Sequence, residues 1–253
     1  MLIDTHCHLD FPDFDPDRDD VIERSRENGI DYIVNIGSSL KSSQNSVELA
    51  QKYEFIYATV GIHPHEADNV TEKDKEIIRD LAKLPKVVAI GEIGLDYYRN
   101  FSLAQNQKPL FSHLAVLAKE CNLPLVIHCR QAEEDTLEIL KSLMPLKAVV
   151  HCFSGSESFL KQCLDSGFLV SFTCNITYTK AQNLRDLIKI IPLEKMLLET
   201  DAPYLSPEGL RGRRNEPLNV KYAADEIANI KQIAVEEVAR ITSATAKNFF
   251  QLQ

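Results

Sequence analysis

Short runs of apolar, mostly β-branched residues alternate along the chain with longer segments whose apolar residues recur every three or four positions. The short runs predict strands, and the longer amphipathic segments predict helices. Eight strands are predicted in this way: Leu2–Thr5, Tyr32–Ile36, Phe55–Val60, Val87–Gly91, Leu125–His128, Ala148–Cys152, Phe168–Phe172 and Met196–Glu199. The predicted helices include 17–28, 72–82, 104–121, 132–142, 157–165, 220–230 and 235–249.

Strands that alternate with helices from one end of the chain to the other predict an α/β protein with a (β/α)8 TIM-barrel fold. A doubly wound open sheet is the main alternative. No G-x-G-x-x-G sequence follows the first strand, which removes the usual mark of a dinucleotide-binding sheet. No linker or repeat divides the sequence, so we expect residues 1–253 to form a single domain, with 203–219 as its longest irregular segment.

The composition is that of an ordinary globular protein, with 44% hydrophobic and 26% charged residues and a net charge of −9. The longest stretch without a charged residue, 166–179, is shorter than the roughly 20 residues of a membrane-spanning helix. Neither a secretion signal nor a C-x-x-C pair is present, and we expect a cytoplasmic monomer with reduced thiols. The acidic balance argues against coating nucleic acid by bulk charge but leaves a nuclease with local contacts open.

Six of the seven histidines lie at or just beyond the carboxyl end of a predicted strand, namely His6, His8, His63, His65, His128 and His151. Active sites of TIM barrels are built at this end of the strands, so these side chains are expected to converge. The seventh, His113, falls inside a predicted helix and is interpreted as a packing or surface residue.

His6 and His8 are two residues apart in extended chain, so both imidazoles point to one face and can bind one ion. His128 and His151 end two other strands and suggest a second metal site. His63 and His65 form another H-x-H pair, but Pro64 places them in a turn, where a structural role remains equally open.

Two carboxylates, Glu92 and Asp201, follow apolar strands, where burial without a partner would be costly. A metal ion would offset that cost, although capping of a helix is an alternative role for Asp201. A carboxylate from the fourth strand is well placed to bridge ions held by the first, fifth and sixth strands. The pattern therefore predicts a di-metal hydrolase whose ions share Glu92.

Three arginines fall within four positions in the sequence Arg211-Gly212-Arg213-Arg214. On an acidic chain, such a cluster after the eighth strand suggests recognition of a phosphate group. A solvated basic loop is the alternative interpretation.

The sequence resembles the TatD-type metal-dependent deoxyribonucleases of the amidohydrolase superfamily. Four stretches carry this resemblance: Asp4-Thr5-His6-Cys7-His8-Leu9-Asp10, Gly61-Ile62-His63-Pro64-His65, Gly91-Glu92-Ile93-Gly94-Leu95-Asp96-Tyr97-Tyr98 and Glu199-Thr200-Asp201-Ala202-Pro203-Tyr204. Three shorter ones add to it: His128-Cys129-Arg130, His151-Cys152-Phe153-Ser154-Gly155 and Arg214-Asn215-Glu216-Pro217. The motifs occur in the family's order from residue 4 to residue 217.

The resemblance implies hydrolysis of phosphodiester bonds in DNA by a water activated at two divalent ions, which are Mg²⁺, Mn²⁺ or Zn²⁺. The resemblance fixes neither DNA against RNA nor the polarity of cleavage. We expect a 3′–5′ exonuclease that acts on single strands or 3′ ends, because the net negative charge suits an enzyme that acts on strand ends better than one that follows duplex. In this assignment His6, His8 and Asp201 hold one ion, His128 and His151 hold the other, and Glu92 bridges both.

The same resemblance implies roles around the reacting phosphate. Asp201 would orient the attacking water or take its proton. His63 and His65 would line the substrate pocket, with His63 or a second water protonating the leaving oxygen. Arg213 or Arg214 would hold a phosphate oxygen.

Two other functions are compatible with the sequence. One is a metal-dependent hydrolase of another bond, such as an aminoacyl-tRNA-type deacylase or an amidohydrolase, because the metal ligands are shared. The other is a catalytically silent barrel that binds nucleic acid or a protein. That second function predicts lost ligands, and none of the expected ligands is lost.

Overall fold

The computed structural model describes all residues from Met1 to Gln253. Its eight strands are β1 (Leu2–Cys7), β2 (Ile30–Asn35), β3 (Ile56–Val60), β4 (Val87–Asp96), β5 (Leu125–Arg130), β6 (Ala148–Val150), β7 (Leu169–Phe172) and β8 (Met196–Leu198). Its nine helices are α1 (Arg18–Glu27), α2 (Leu40–Lys52), α3 (Glu72–Leu81), α4 (Ala104–Cys121), α5 (Glu133–Ser142), α6 (Glu157–Asp165), α7 (Gln182–Ile190), α8 (Val220–Lys231) and α9 (Val235–Phe250).

The strands follow one another in a single eight-stranded sheet, in the order in which they occur in the chain. The pairings of β1 with β2 and of β3 through β7 are parallel. The predicted α/β fold class, a (β/α)8 TIM barrel, is therefore confirmed. Contacts divide the chain into two compact units, residues 1–35 with 171–253 and residues 36–170. That residues 1–253 form one hydrolase domain stays a prediction.

Capping side chains and a glycine mark the ends of several helices. Thr71 and Asp74 form a reciprocal capping box at the start of α3, and the Ser156 hydroxyl accepts the Phe159 N–H at the start of α6. Gly29 follows α1 with φ of 90°, a left-handed conformation that glycine adopts without steric cost. The apolar stripe of α4, which includes Phe111 and Leu114, is buried.

The largest difference from the predicted boundaries lies in β4, which continues to Asp96 instead of ending at Gly91. The strand passes very close to β5 at Gly94, where an added Cβ would lie 2.0 Å from the His128 carbonyl oxygen. Gly94 also has φ of 141°, so both its space and its conformation require glycine. As a result, Glu92 lies inside the strand and not at its end.

The cysteines are all free thiols. Cys7 is fully buried, and the Thr136 hydroxyl of α5 donates a hydrogen bond to Cys129 Sγ at 3.4 Å. Both cysteines therefore act as small packing residues. None of the nine helices combines the length with the apolar character that crossing a membrane requires.

Candidate metal centre

Two histidines and an aspartate form the first candidate cluster, in the unit that contains both chain ends. His6 is the penultimate residue of β1, His8 lies just beyond that strand, and Asp201 follows β8. The backbone brings them together, because Asp201 N–H donates to the His6 carbonyl at 2.8 Å and His8 N–H donates to the Ala202 carbonyl at 2.7 Å. Asp201 Oδ1 lies 3.6 Å from His6 Nε2 and 3.5 Å from His8 Nε2, and these two nitrogens are 3.3 Å apart.

A buried carboxylate, Asp4, holds the backbone beneath this first cluster. It accepts hydrogen bonds from the Thr200 N–H at 2.9 Å, from the Thr200 hydroxyl at 2.6 Å and from the His6 N–H at 3.3 Å. Burial raises the pKa of Asp4 well above its usual value, although the hydrogen bond from Thr200 opposes this effect. Asp4 therefore ties β1 to the segment that carries Asp201.

The second cluster lies in residues 36–170 and is centred on a single carboxylate oxygen. Glu92 Oε1 lies 2.9 Å from His128 Nδ1, 2.8 Å from His151 Nε2 and 3.4 Å from His63 Nε2. The His128 and His151 nitrogens are 3.4 Å from each other. The period of two along a strand explains why Glu92 and His128 point to the same side of neighbouring strands.

Burial and the three neighbouring imidazoles shift the pKa of Glu92 in opposite directions. Burial alone would raise the pKa of Glu92, but electrostatic interactions with His151 and His63 and the hydrogen bonds from His128 and His151 lower it well below its usual value. Burial lowers the pKa of His63 to about 4, because the contacts with Glu92 compensate only partly for the lost hydration. The site thus holds an ionised carboxylate among imidazoles.

Both clusters fit a divalent metal ion. Imidazole nitrogens and carboxylate oxygens about 2.1 Å from a tetrahedral ion lie about 3.4 Å from one another. The ligand atoms of the first cluster are separated by 3.3 to 3.6 Å, and those of Glu92, His128 and His151 by 2.8 to 3.4 Å. His63, Glu92 and His128 also present ligand atoms within 4.8 Å of one another. Zn²⁺ and Mn²⁺ accept such nitrogen and oxygen ligands readily.

Asp96, the last residue of β4, is absent from the residues that the sequence predicts for the site, yet it contacts two of them. Its Oδ2 lies 3.1 Å from His128 Nε2 and 2.9 Å from His65 Nε2, and the side chain is fully buried. Burial alone would raise the pKa of Asp96, but hydrogen bonds from His128, the Arg99 N–H and His65 lower it well below its usual range. Asp96 follows Glu92 by an even number of positions, so both side chains point to the same face if the strand continues. That spacing is the sequence signal that could have identified Asp96.

The two histidines of the H-x-H pair after β3 contact different carboxylates, those of Glu92 and Asp96. His63 faces Glu92, as described above, whereas His65 faces Asp96. The Nδ1 atom of His63 accepts the His65 N–H at 3.2 Å, at the start of the short 3-10 turn Pro64–Asn69. The two rings are in edge contact, with centroids 4.2 Å apart. Both residues therefore adjoin the second cluster, and their contact with substrate stays a prediction.

The two arginines predicted to bind phosphate have different surroundings. The guanidinium of Arg214 donates to both oxygens of Asp17 at 2.7 and 2.8 Å and to Glu216 at 3.2 Å. It also lies 4.6 Å from the centre of the Phe14 ring. Arg213 is exposed to solvent, and its backbone, not its side chain, is bonded to Leu210 and Ser206. Arg213 is thus the arginine of this pair with an uncommitted side chain.

A family model described as TatD related DNase matches residues 3–251. The chain belongs to this family. It is 41% identical over 254 residues to a Bacillus subtilis protein named uncharacterized metal-dependent hydrolase YabD, with all of both chains covered. It is 38% identical over 259 residues to the Erwinia amylovora 3′-5′ ssDNA/RNA exonuclease TatD, with 99% of this chain and 100% of the relative covered.

Solved structures of the TatD family have the same fold. The crystal structure of YJJV, a TatD homologue from Escherichia coli K12, superposes with a TM-score of 0.94 at 30% identity, covering 100% of this chain and 98% of that chain. A hydrolase of the TatD family from Entamoeba histolytica gives a TM-score of 0.91 at 28% identity, with the same coverage. The resemblance stated from the motifs is confirmed, and the protein is a metal-dependent hydrolase of the TatD family.

Proposed function

We propose that this TatD-family hydrolase is a divalent-metal-dependent deoxyribonuclease that removes nucleotides in the 3′–5′ direction from single strands or 3′ ends. The observation that carries the proposal is the pair of clusters with ligand spacings suited to divalent ions. Relatives that align along their full length and are named 3′-5′ ssDNA/RNA exonucleases support the choice of substrate.

The proposed ligand sets follow the two clusters. His6, His8 and Asp201 would hold one ion, and His128 and His151 the other. Glu92 would serve both, as the family resemblance implies. When bound, divalent ions supply Lewis-acid chemistry, which activates water as a nucleophile and neutralises charge on the reacting phosphate.

The remaining chemistry belongs to side chains of the protein. The Asp201 carboxylate is the only partly exposed member of its cluster, with 17% of its side chain accessible, and it is proposed to orient the attacking water and take its proton. His63 and His65 are proposed to hydrogen-bond the substrate beside Glu92 and Asp96. His63 or a second water would protonate the leaving oxygen.

The substrate is proposed to be positioned through its phosphates. Arg213 has an exposed guanidinium, whereas Arg214 is held by Asp17 and Glu216 and is proposed to support the loop that carries Arg213. A net charge of −9 disfavours extended contact with duplex DNA, which suits an enzyme that acts on strand ends.

Cleavage of a 5′-labelled single-stranded oligodeoxynucleotide tests this proposal. The protein is incubated with Mg²⁺, Mn²⁺, Zn²⁺ or EDTA, and the Glu92→Gln variant is compared with Glu138→Gln, which changes an exposed carboxylate of α5. We expect a metal-dependent ladder that shortens from the 3′ end in the wild-type protein and in Glu138→Gln, and none in Glu92→Gln.

A panel of substrates separates the proposal from hydrolysis of other bonds. The panel contains the same strand as RNA, the corresponding duplex, an aminoacyl-ester analogue and a cyclic amide. Hydrolysis of the ester or amide by metal-loaded protein, without cleavage of either polynucleotide, would contradict the nuclease function and favour a deacylase or an amidohydrolase.

A further inference from the structure

The loop that follows β4 exposes an unusual concentration of apolar side chains. Of the eight large apolar residues that are exposed in the whole chain, three lie between positions 98 and 103. Tyr98 is 52% exposed, Phe101 is 65% exposed and Leu103 is 57% exposed. Isolated exposed apolar side chains such as Leu103 are common, but two exposed aromatic rings in one short loop indicate a binding surface.

Two guanidinium groups accompany these rings. Arg130, the last residue of β5, lies with its guanidinium carbon 4.1 Å from the centre of the Tyr98 ring, and Arg99 lies 5.7 Å from the same centre. Neither side chain pairs with a carboxylate, in contrast to Arg24, Arg79 and Arg214, which all do. On a chain of net charge −9, this surface therefore keeps two guanidinium groups that form no ion pair.

The loop is connected directly to the second candidate metal cluster. Asp96, which contacts His128 and His65 through Oδ2, accepts the N–H groups of Tyr98 and Arg99 through Oδ1 at 2.9 and 2.8 Å. The Phe101 ring lies edge-on to His65, with centroids 4.8 Å apart. A chain bound across these rings would therefore continue to the histidines of the second cluster.

Buried hydrogen bonds hold this loop in one conformation. The Gln107 side chain, from α4, accepts the Asp96 N–H at 2.8 Å and donates to the carbonyls of Asp96 and Ser102 at 3.0 and 2.8 Å. The Ser102 hydroxyl donates to the His65 carbonyl at 2.7 Å. Aromatic side chains on a fixed backbone lose little conformational entropy when a ligand binds.

We propose that Tyr98, Phe101 and Arg130 form a base-stacking subsite that holds a single-stranded nucleic acid next to the second metal cluster. The subsite rests on the proposed nuclease function and specifies how its substrate is bound. Exposed aromatic rings beside unpaired guanidiniums bind single strands, because any base can stack on a ring while the cations attract the backbone. Such binding tolerates any sequence, as an exonuclease requires.

Kinetics on substrates of increasing length test the subsite. The double variant Tyr98→Leu/Phe101→Leu keeps the surface apolar but removes the rings, and Leu103→Ala is the matched control in the same loop. Substrates run from a dinucleotide to a strand of about ten nucleotides, together with bis(p-nitrophenyl) phosphate, which has no base to stack. We expect the double variant to raise KM for the longer strands by about tenfold or more. Its kcat, and its rate on the small diester, should match those of Leu103→Ala and of the wild-type protein.

Several results would overturn the subsite. An unchanged KM in the double variant would do so, as would an equal loss of rate on the small diester, because the loop would then serve only the structure of the site. If the double variant lost self-association in sedimentation and its KM did not change, the surface would instead bind a second copy of the chain.

Failure of the proposed function gives a different pattern. A wild-type protein that cleaves no polynucleotide contradicts the nuclease function, and anisotropy of a labelled single strand in EDTA then decides the subsite. About tenfold weaker binding by the double variant, with wild-type binding by Leu103→Ala, supports the subsite. Equal binding by all three proteins overturns it.

Discussion

The carboxylate of Asp96 lies 3.1 Å from His128 Nε2, on the edge of the imidazole opposite the nitrogen that faces Glu92. An ionised carboxylate can only accept hydrogen bonds, so Asp96 places a proton on Nε2. His128 Nδ1, 2.9 Å from Glu92 Oε1, is then the nitrogen of this ring that would give up its proton to bind a metal ion, because Asp96 retains the proton on Nε2. Histidine ligands of metal sites commonly donate their second N–H to a carboxylate in this way.

The variant Asp96→Asn is expected to weaken metal binding at the second cluster. An amide keeps the size of the side chain but removes the charge that fixes the His128 proton, so we expect an affinity for Zn²⁺ about 10- to 100-fold lower. Competition with a chromogenic chelator measures this affinity. The control is Asp135→Asn, because Asp135 accepts the Tyr97 hydroxyl nearby without contacting a histidine. Equal affinities in the two variants would show that Asp96 does not support the metal ligand.

The variant Asp201→Asn is expected to lower kcat by about 100-fold or more while leaving the thermal unfolding of the protein close to that of the wild type. The physical reason is the loss of the carboxylate that takes the proton of the attacking water. Steady-state cleavage of a labelled single strand measures the change, with Asp225→Asn, an exposed residue of α8, as the control. A turnover near that of the wild type would refute the role of Asp201.

Neighbouring arginines are expected to behave differently when each is replaced by alanine. Arg214→Ala removes the ion pairs with Asp17 and Glu216 and should lower the free energy of unfolding by about 1 kcal/mol. Arg213→Ala should change stability by less than about 0.5 kcal/mol and raise KM for single strands severalfold. Urea unfolding and cleavage kinetics on both variants make the comparison. If Arg213→Ala lowered the stability while Arg214→Ala raised KM, the placement of Arg213 at the phosphate would be contradicted.

The ion pairs around Arg214 also predict a dependence of stability on pH. Hydrogen bonds from Arg214 lower the pKa of Asp17, and hydrogen bonds from Arg24 lower the pKa of Glu216 despite its partial burial. A carboxylate whose pKa is lower in the folded chain stabilises the fold above its unfolded pKa, near 4 for such groups, and loses that contribution as the pH falls through the folded value.

Urea unfolding of the wild-type protein and of Glu216→Gln in EDTA measures this contribution. The difference in unfolding free energy should be about 1 kcal/mol near neutral pH and should shrink towards zero as Glu216 becomes protonated at acid pH. A difference that is constant between about pH 7 and about pH 3 would show that the charge of Glu216 is not what stabilises the fold.

The sequence predicts the fold and the candidate ligands because both depend on local pattern. His6, His8, His128 and His151 are recognisable because each lies at or just beyond the end of a predicted strand. In the structure His6 and His128 lie in β1 and β5, and His8 and His151 follow β1 and β6 directly. The buried face of α2 includes Ser42, Ser43 and Ser46, so the burial of these small polar residues is not visible in an apolar pattern.

Other features depend on tertiary contacts that no pattern reports. The extension of β4 to Asp96 follows from the close approach of Gly94 to β5, and Asp96 becomes part of the site only because His65 and His128 converge on it. Likewise, the sequence presents Arg213 and Arg214 as equivalent. Their difference arises from Asp17, which is distant in the sequence but pairs with Arg214 in the fold.

The number of metal ions bound per chain tests the central claim most directly. The protein is dialysed to equilibrium against Zn²⁺ or Mn²⁺, and its metal content is determined by mass spectrometry. The account predicts two ions per wild-type chain, with one lost in His6→Ala/His8→Ala and one lost in His128→Ala/His151→Ala. A wild-type chain that binds no divalent ion, or the same metal content in both double variants as in the wild type, would contradict it.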